Sequence, residues 1–103
     1  MILAPSKLAK DDFSVVGVTS DSLTVTWKSD VMKSKGIKQL LLGVTSIDSK
    51  GKHRMLSSDV ESENLTMKSL SPKTKYRVTM RHDNKNSIPI SLGTSKTWPI
   101  GIV

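Results

Sequence analysis

The side chains of this 103-residue chain with the chemistry to catalyse or to bind are few. Asp59, Glu61 and Glu63 alternate with polar residues, and three such carboxylates invite a calcium or acid–base reading. The stretch lacks the sharp-turn glycine of a calcium loop and any dense DxDxD spacing, so it reads as a solvated loop. His53 and His82 fall on different strand ends, and their spacing does not form a metal-ligand set; His53 reads as a surface residue. The sequence has no cysteine, so it offers neither a thiolate nor a disulfide. GxSxG, HExxH and a glycine-rich phosphate loop are all missing. The abundant serines and threonines fall on outer strand faces and in turns. The expectation is a non-enzymatic protein with no cofactor and no metal.

The cations are more suggestive. Sixteen Lys and Arg stand against nine Asp and Glu, a formal net charge of +7. A balance of this sign favours anionic partners such as sulfated glycan or an acidic protein face, and scattered lysines also keep a small domain soluble. Lys73 and Lys75 flank a turn, and Arg77 and Arg81 share the outer face of the strand that follows. Lys50, Lys52 and Arg54 sit on a hairpin assigned to the same sheet. If Arg54 and Arg77 face the same way, these seven make a basic strip able to grip sulfates. The plainer alternative is that they solubilise an outer face or guard an edge. Nucleic acid is not expected, because Phe13, Trp27, Tyr76 and Trp98 are not interleaved with cations as a stacking platform. Asn64-Leu65-Thr66 is an acceptor triplet for N-glycosylation, and Asn64 faces outward if Leu65 faces inward.

The elements that position these residues are strands. Residues 1–10 read as an entry linker, with Pro5 blocking regular pairing and Leu8 touching the core edge. Asp12–Val18 predicts a first strand with Phe13, Val15 and Val18 inward, and the Val15-Val16 pair suggests a bulge or a switch of edge. Leu23-Thr24-Val25-Thr26-Trp27 alternates cleanly. Ser29–Gly36 is polar and reads as a loop. Ile37–Ile47 predicts a strand with Leu40, Leu42 and Val44 inward and Leu41 as an exposed apolar residue. Asp48–Lys52 is a hairpin turn and His53–Ser57 a short return strand. Leu65 and Met67 point inward from a fifth strand. Tyr76, Val78 and Met80 line the inner face of a sixth, with Arg77, Thr79 and Arg81 outside. Ile88–Thr97 is the last strand, with Ile90 and Leu92 inward. Trp98–Val103 reads as an exit linker folded against the domain base. No run approaches the ~18 apolar residues of a spanning helix, so no membrane insertion is expected.

Between the fifth and sixth strands lies Leu70-Ser71-Pro72-Lys73-Thr74-Lys75-Tyr76. Pro72 forces a turn, Leu70 plugs the base of a core, and a buried Tyr76 needs a backbone partner just upstream for its hydroxyl. That is a tyrosine corner of a Greek-key sandwich. Leu70, Pro72, Thr74 and Tyr76, with Trp27 well before them, resemble the fibronectin type III domain. The resemblance covers roughly residues 11–97 and leaves 98–103 as linker.

The resemblance implies an all-β, two-sheet, seven-stranded immunoglobulin-like sandwich with Trp27, Leu70, Pro72 and Tyr76 as its structural core. By the same resemblance the function is a protein-interaction or spacer module of a larger extracellular adhesion, matrix or receptor protein. Its partner is another protein or a neighbouring domain, and any signal or anchor lies outside this stretch. Two family binding modes are relevant. The Arg-Gly-Asp tripeptide is absent, its loop reading Asp83-Asn84-Lys85-Asn86. Capture of heparin-like glycan by clustered cations remains open, and so does a structural module of an intracellular or phage protein.

Overall fold

β2, Leu23–Trp27, is built from the residue types that favour a pleated, half-buried strand, and it buries every second one: Leu23, Val25 and Trp27. Its neighbours obey the same period. The computed structural model describes residues 8–47, 53–82 and 89–99. Within them the strands are β1 (Phe13–Val16), β2, β3 (Gln39–Ser46), β4 (His53–Asp59), β5 (Asn64–Met67), β6 (Lys75–His82) and β7 (Ile90–Lys96). They form two antiparallel sheets, ordered β1-β2-β5 and β4-β3-β6-β7. The facing surfaces share one core, with Leu23, Val25, Leu40, Leu42, Val78 and Met80 fully sealed from solvent. Each such aliphatic side chain contributes about 1.5–3 kcal/mol by leaving water. The seven-strand sandwich expected from the sequence is therefore the observed fold.

The tryptophan at the end of β2 is fixed from two sides. Its ring lies 6.4 Å from that of Phe13, tilted by 60°, an arrangement that suits two aromatic quadrupoles. Its indole N–H donates to the Val60 carbonyl at 2.8 Å, so burial leaves no orphan donor.

Several local expectations change. β1 carries no bulge: Phe13 to Val16 pair in unbroken register with Trp27 to Thr24. Val15 packs on the core while Val16 faces solvent at 43% exposure, so the valine pair keeps the ordinary alternation. Residues 29–36 are not a plain loop but a short helix, α1 (Ser29–Ser34), with Met32 fully buried. Gly36, at φ +72°, ends it in the left-handed conformation that glycine adopts without a Cβ clash. Gly36 N–H donates to Lys33 and Ile37 N–H donates to Met32, with Met32 and Ile37 both buried. These two bonds and that apolar pair are a Schellman stop. The acidic segment is likewise structured, as a 3-10 turn over Val60–Ser62 with Val60 in the core. β4 runs two residues further than expected, to Asp59. The Asp48–Lys52 turn and the Asp83–Asn86 loop lie outside the described residues.

The corner folds as its spacing requires. Leu70 is buried, and Tyr76 Oη accepts the Ser71 N–H at 2.8 Å. Thr97, 2% exposed, completes it from the residue just past β7. Its hydroxyl donates to the Ser71 carbonyl at 2.6 Å and accepts the Thr74 N–H at 2.9 Å. One residue on, Trp98 N–H donates to the Thr19 carbonyl at 3.0 Å and Trp98 accepts the Lys73 N–H at 3.3 Å. A bulge in β7, where the register against β6 shifts between Val78 and Thr79, sets this geometry. Ile90 opposes the inward Met80, and after the extra residue Gly93 (φ +95°) opposes the inward Val78. Every later side chain is thereby flipped relative to strict alternation, turning Thr97 inward.

Thr97→Val keeps the volume but strands a part-buried N–H and a part-buried carbonyl, so we expect a loss of about 1–2 kcal/mol in urea unfolding. Tyr76→Phe should cost about 1–2 kcal/mol through the Ser71 N–H. Thr94→Val, facing outward on the same strand, should stay within about 0.5 kcal/mol.

Candidate functional site

The outer face of the four-stranded sheet collects the cations that the alternation turns away from the core. On β6, Lys75, Arg77, Thr79 and Arg81 alternate with the buried Tyr76, Val78, Met80 and His82. Arg77 stands opposite Thr45 of β3 and Thr94 of β7, and Arg81 opposite Leu41. Lys75 pairs directly with Lys96. Like charges facing each other across a ladder repel. Lys96 escaped the sequence reading because strict alternation from Ile90 and Leu92 would turn it inward, and the β7 bulge turns it out.

The described cations of the expected strip do not all share one face. Arg54 pairs with Val44, whose side chain is in the core, whereas Arg77 pairs with Thr45. Arg54 and Arg77 thus project from opposite faces of the sheet. At the β4 edge, Arg54 Nη1 donates to the carbonyls of Lys68 at 2.5 Å and Ser69 at 3.0 Å, just beyond β5. Its guanidinium is a latch between the two sheets, not a member of the outer face. Lys73 lies in the corner turn at φ +51°, exposed but off the sheet face. Lys50 and Lys52 lie outside the described residues. The structure brings together Lys75, Arg77 and Arg81, and adds Lys96.

The carboxylates have structural work. Asp59 accepts the Ser62 N–H at 3.0 Å and caps the 3-10 turn. Glu63, at φ +60°, accepts the Ser29 N–H at 2.8 Å at the start of α1. Glu61 meets Lys33 at 3.0 Å, and this hydrogen bond together with the Glu61 charge holds the Lys33 ammonium above its usual range. Asp12 pairs with Lys35 at 2.5 Å, tying the entry turn to α1. Among the described residues no three His, Asp or Glu side chains converge on a point that could hold a metal. His53 faces outward opposite Thr45, while His82 is buried opposite Leu40, so the two project from opposite faces. Asn64 is exposed at the start of β5, its amide donating to the Ser62 carbonyl at 3.1 Å.

At the middle of the outer face is a depression of about 290 Å³. Gly43 forms its floor. A Cβ there would lie 2.6 Å from Thr79 Oγ1 and 3.4 Å from His53 Cε1. Leu41, Met55 and Pro89 supply apolar walls, and Thr45, His53, Thr79 and Arg81 supply polar ones. The His53 ring is held by a 2.6 Å hydrogen bond between Nδ1 and Thr45 Oγ1. Leu41 is half-buried at the rim, rather than an isolated exposed leucine.

Two antiparallel sheets, a buried tryptophan on β2 and a tyrosine corner before β6 define the immunoglobulin-like class of all-β sandwiches. A family model described as the fibronectin type III domain matches residues 4–94. The chain belongs to the fibronectin type III family. Solved structures with the same fold include the fn3 domain of human contactin 1, at 14% identity and a TM-score of 0.70, with 87% of this chain and 76% of that one covered. An fn3 domain of the human collagen alpha-1(XX) chain is 21% identical with a TM-score of 0.68, covering 89% and 86%. A two-domain segment of chicken tenascin is 20% identical with a TM-score of 0.64, covering 93% of this chain and 51% of the segment. No curated protein matches the sequence.

The placement of Arg54 is open to direct test. Arg54→Ala should lower stability by about 1 kcal/mol in urea unfolding, because two backbone carbonyls lose a charged donor. Arg77→Ala, on the solvated face, should change it by less than about 0.5 kcal/mol.

Proposed function

We propose that this domain is a non-enzymatic interaction or spacer module of a larger extracellular adhesion, matrix or receptor protein. The observation that carries the reading is the outer face of the β4-β3-β6-β7 sheet, where Lys75, Arg77, Arg81 and Lys96 share one surface. Of the charged side chains that the paired strands turn to that surface, Asp59 at the end of β4 is the carboxylate. The fold supports the same reading, because contactin, collagen and tenascin all carry domains of this architecture. Its partner is a protein or a neighbouring domain. The exposed Asn64 is the acceptor for N-linked glycan in a secreted parent.

A second reading is favoured by the Lys75–Lys96 pair. Two facing lysines with Arg77 beside them offer sulfate groups a charged cradle, so the face also suits a heparin-like glycan. Arg54 has no part in that cradle.

The test is retention on heparin at low and physiological salt, beside a protein of matched net charge. If the cations act as a patterned site, the domain elutes later than the control, and Arg77→Ala with Arg81→Ala removes the difference. Co-elution with the control would withdraw the glycan reading and leave a spacer or protein-binding module. For the extracellular assignment, expression through a eukaryotic secretory pathway should give a secreted domain whose mass falls on enzymatic removal of N-glycan. Asn64→Gln should abolish that change. A domain retained and degraded in the secretory pathway would count against extracellular residence.

A further inference from the structure

The depression over Gly43 is not explained by the cation face alone. At about 290 Å³ it lies just below the usual range of small-molecule sites, roughly 300–1,000 Å³. It has room for one or two side chains and not for a whole cofactor. Its apolar side is presented to solvent: Met55 is 48% exposed on the edge strand β4, facing Gly43. Its other side carries Arg81, whose Nε is buried and without a hydrogen-bond partner among the described residues. The guanidinium charge is thus half-buried at the rim of the depression, where a carboxylate would meet it in a charge-assisted hydrogen bond.

We propose that this depression seats an acidic segment of a protein partner, with one aliphatic side chain over Gly43 and a neighbouring carboxylate on Arg81. The proposal rests on the interaction reading and narrows it to a place and a partner chemistry. Charge complementarity selects the acid, because Lys75, Arg77 and Lys96 continue the positive surface away from Arg81. The glycine floor selects the aliphatic group. At this position any Cβ would fill the hollow and meet Thr79 Oγ1, so only glycine leaves it open. Met55 and Leu41 flank it with flexible apolar surface suited to an aliphatic anchor. A sulfated glycan brings charge but no aliphatic group to bury here, so it would leave the Gly43 floor unused.

The test uses the whole chain, 15N-labelled, titrated with three probes and followed by amide chemical shifts. The first is a nine-residue peptide of Glu and Asp around one central Leu. The second is the same peptide with Ser for Leu, and the third is a heparin octasaccharide. The Leu peptide should shift the amides of Leu41, Gly43, Met55 and Thr79, and the Ser peptide should bind about tenfold more weakly, for want of the buried side chain. Met55→Glu, at an exposed site the fold does not need, should weaken the Leu peptide about tenfold, and Arg81→Gln by a similar factor. In both variants the unbound amide shifts at Trp27 and Tyr76 should match the wild type, which separates lost binding from lost folding. Equal affinity for the two peptides, with shifts confined to the Lys75–Lys96 end, would overturn the seat and leave a charge-guided interaction face. Shifts at the Gly43 floor as large with the octasaccharide as with the Leu peptide would overturn it in favour of a glycan site. Silence with all three probes would remove both the seat and the cation face as a binding surface.

Discussion

Two hydroxyl groups at the base of the sandwich hold the arrangement on which the other contacts depend. Tyr76 Oη takes the Ser71 N–H, and Thr97 Oγ1 bridges the Ser71 carbonyl and the Thr74 N–H. Between them they satisfy three backbone groups of one turn with side chains from β6 and from the end of β7. Polar backbone in a turn pressed against a core must be paired or left at a cost of about 1–3 kcal/mol per group. The pairing fixes where β6 starts, and so which of its residues face the core. Because the side-chain period of a strand is two, a slip of one residue would bury Arg77 and Arg81 and expose Val78 and Met80.

The same logic links the β7 bulge to the outer face. One extra residue near Gly93 reverses the facing of everything after it, turning Thr97 into the corner and Lys96 onto the cationic surface. A structural need at the base and a charge pattern on the face thus have one origin. The latch made by Arg54 is the counterpart at the other edge of that sheet.

Much of this was legible in the residues. The alternation of Leu23, Val25 and Trp27, and of Tyr76, Val78 and Met80, set the inner faces, and the Leu70–Tyr76 spacing set the corner. What escaped had identifiable causes. α1 was hidden because its polar residues read as loop, although Met32, Gly36 and Ile37 carry the spacing of a helix stop. The facing of Lys96 and Thr97 is not legible in the sequence, because a bulge shifts the period without altering composition. The facing of Arg54 stays open in the sequence because the facing of a return strand depends on the register of its hairpin, not on its own residues. The depression over Gly43 has no linear signature, since its walls come from strands paired across the sheet.

The anchoring of Trp98 has a mechanical side. Its N–H is tied to the Thr19 turn and its carbonyl to the corner at Lys73, immediately after Thr97 is bound within that corner. Tension applied at Pro99 would therefore reach two separate turns at once, before any rung of the β6–β7 ladder is loaded. Bonds loaded together share the force, whereas a ladder pulled from its end opens rung by rung. The last strand of this domain is fastened at its exit in the manner that resists peeling, so a force transmitted along the chain is spread across the base of both sheets.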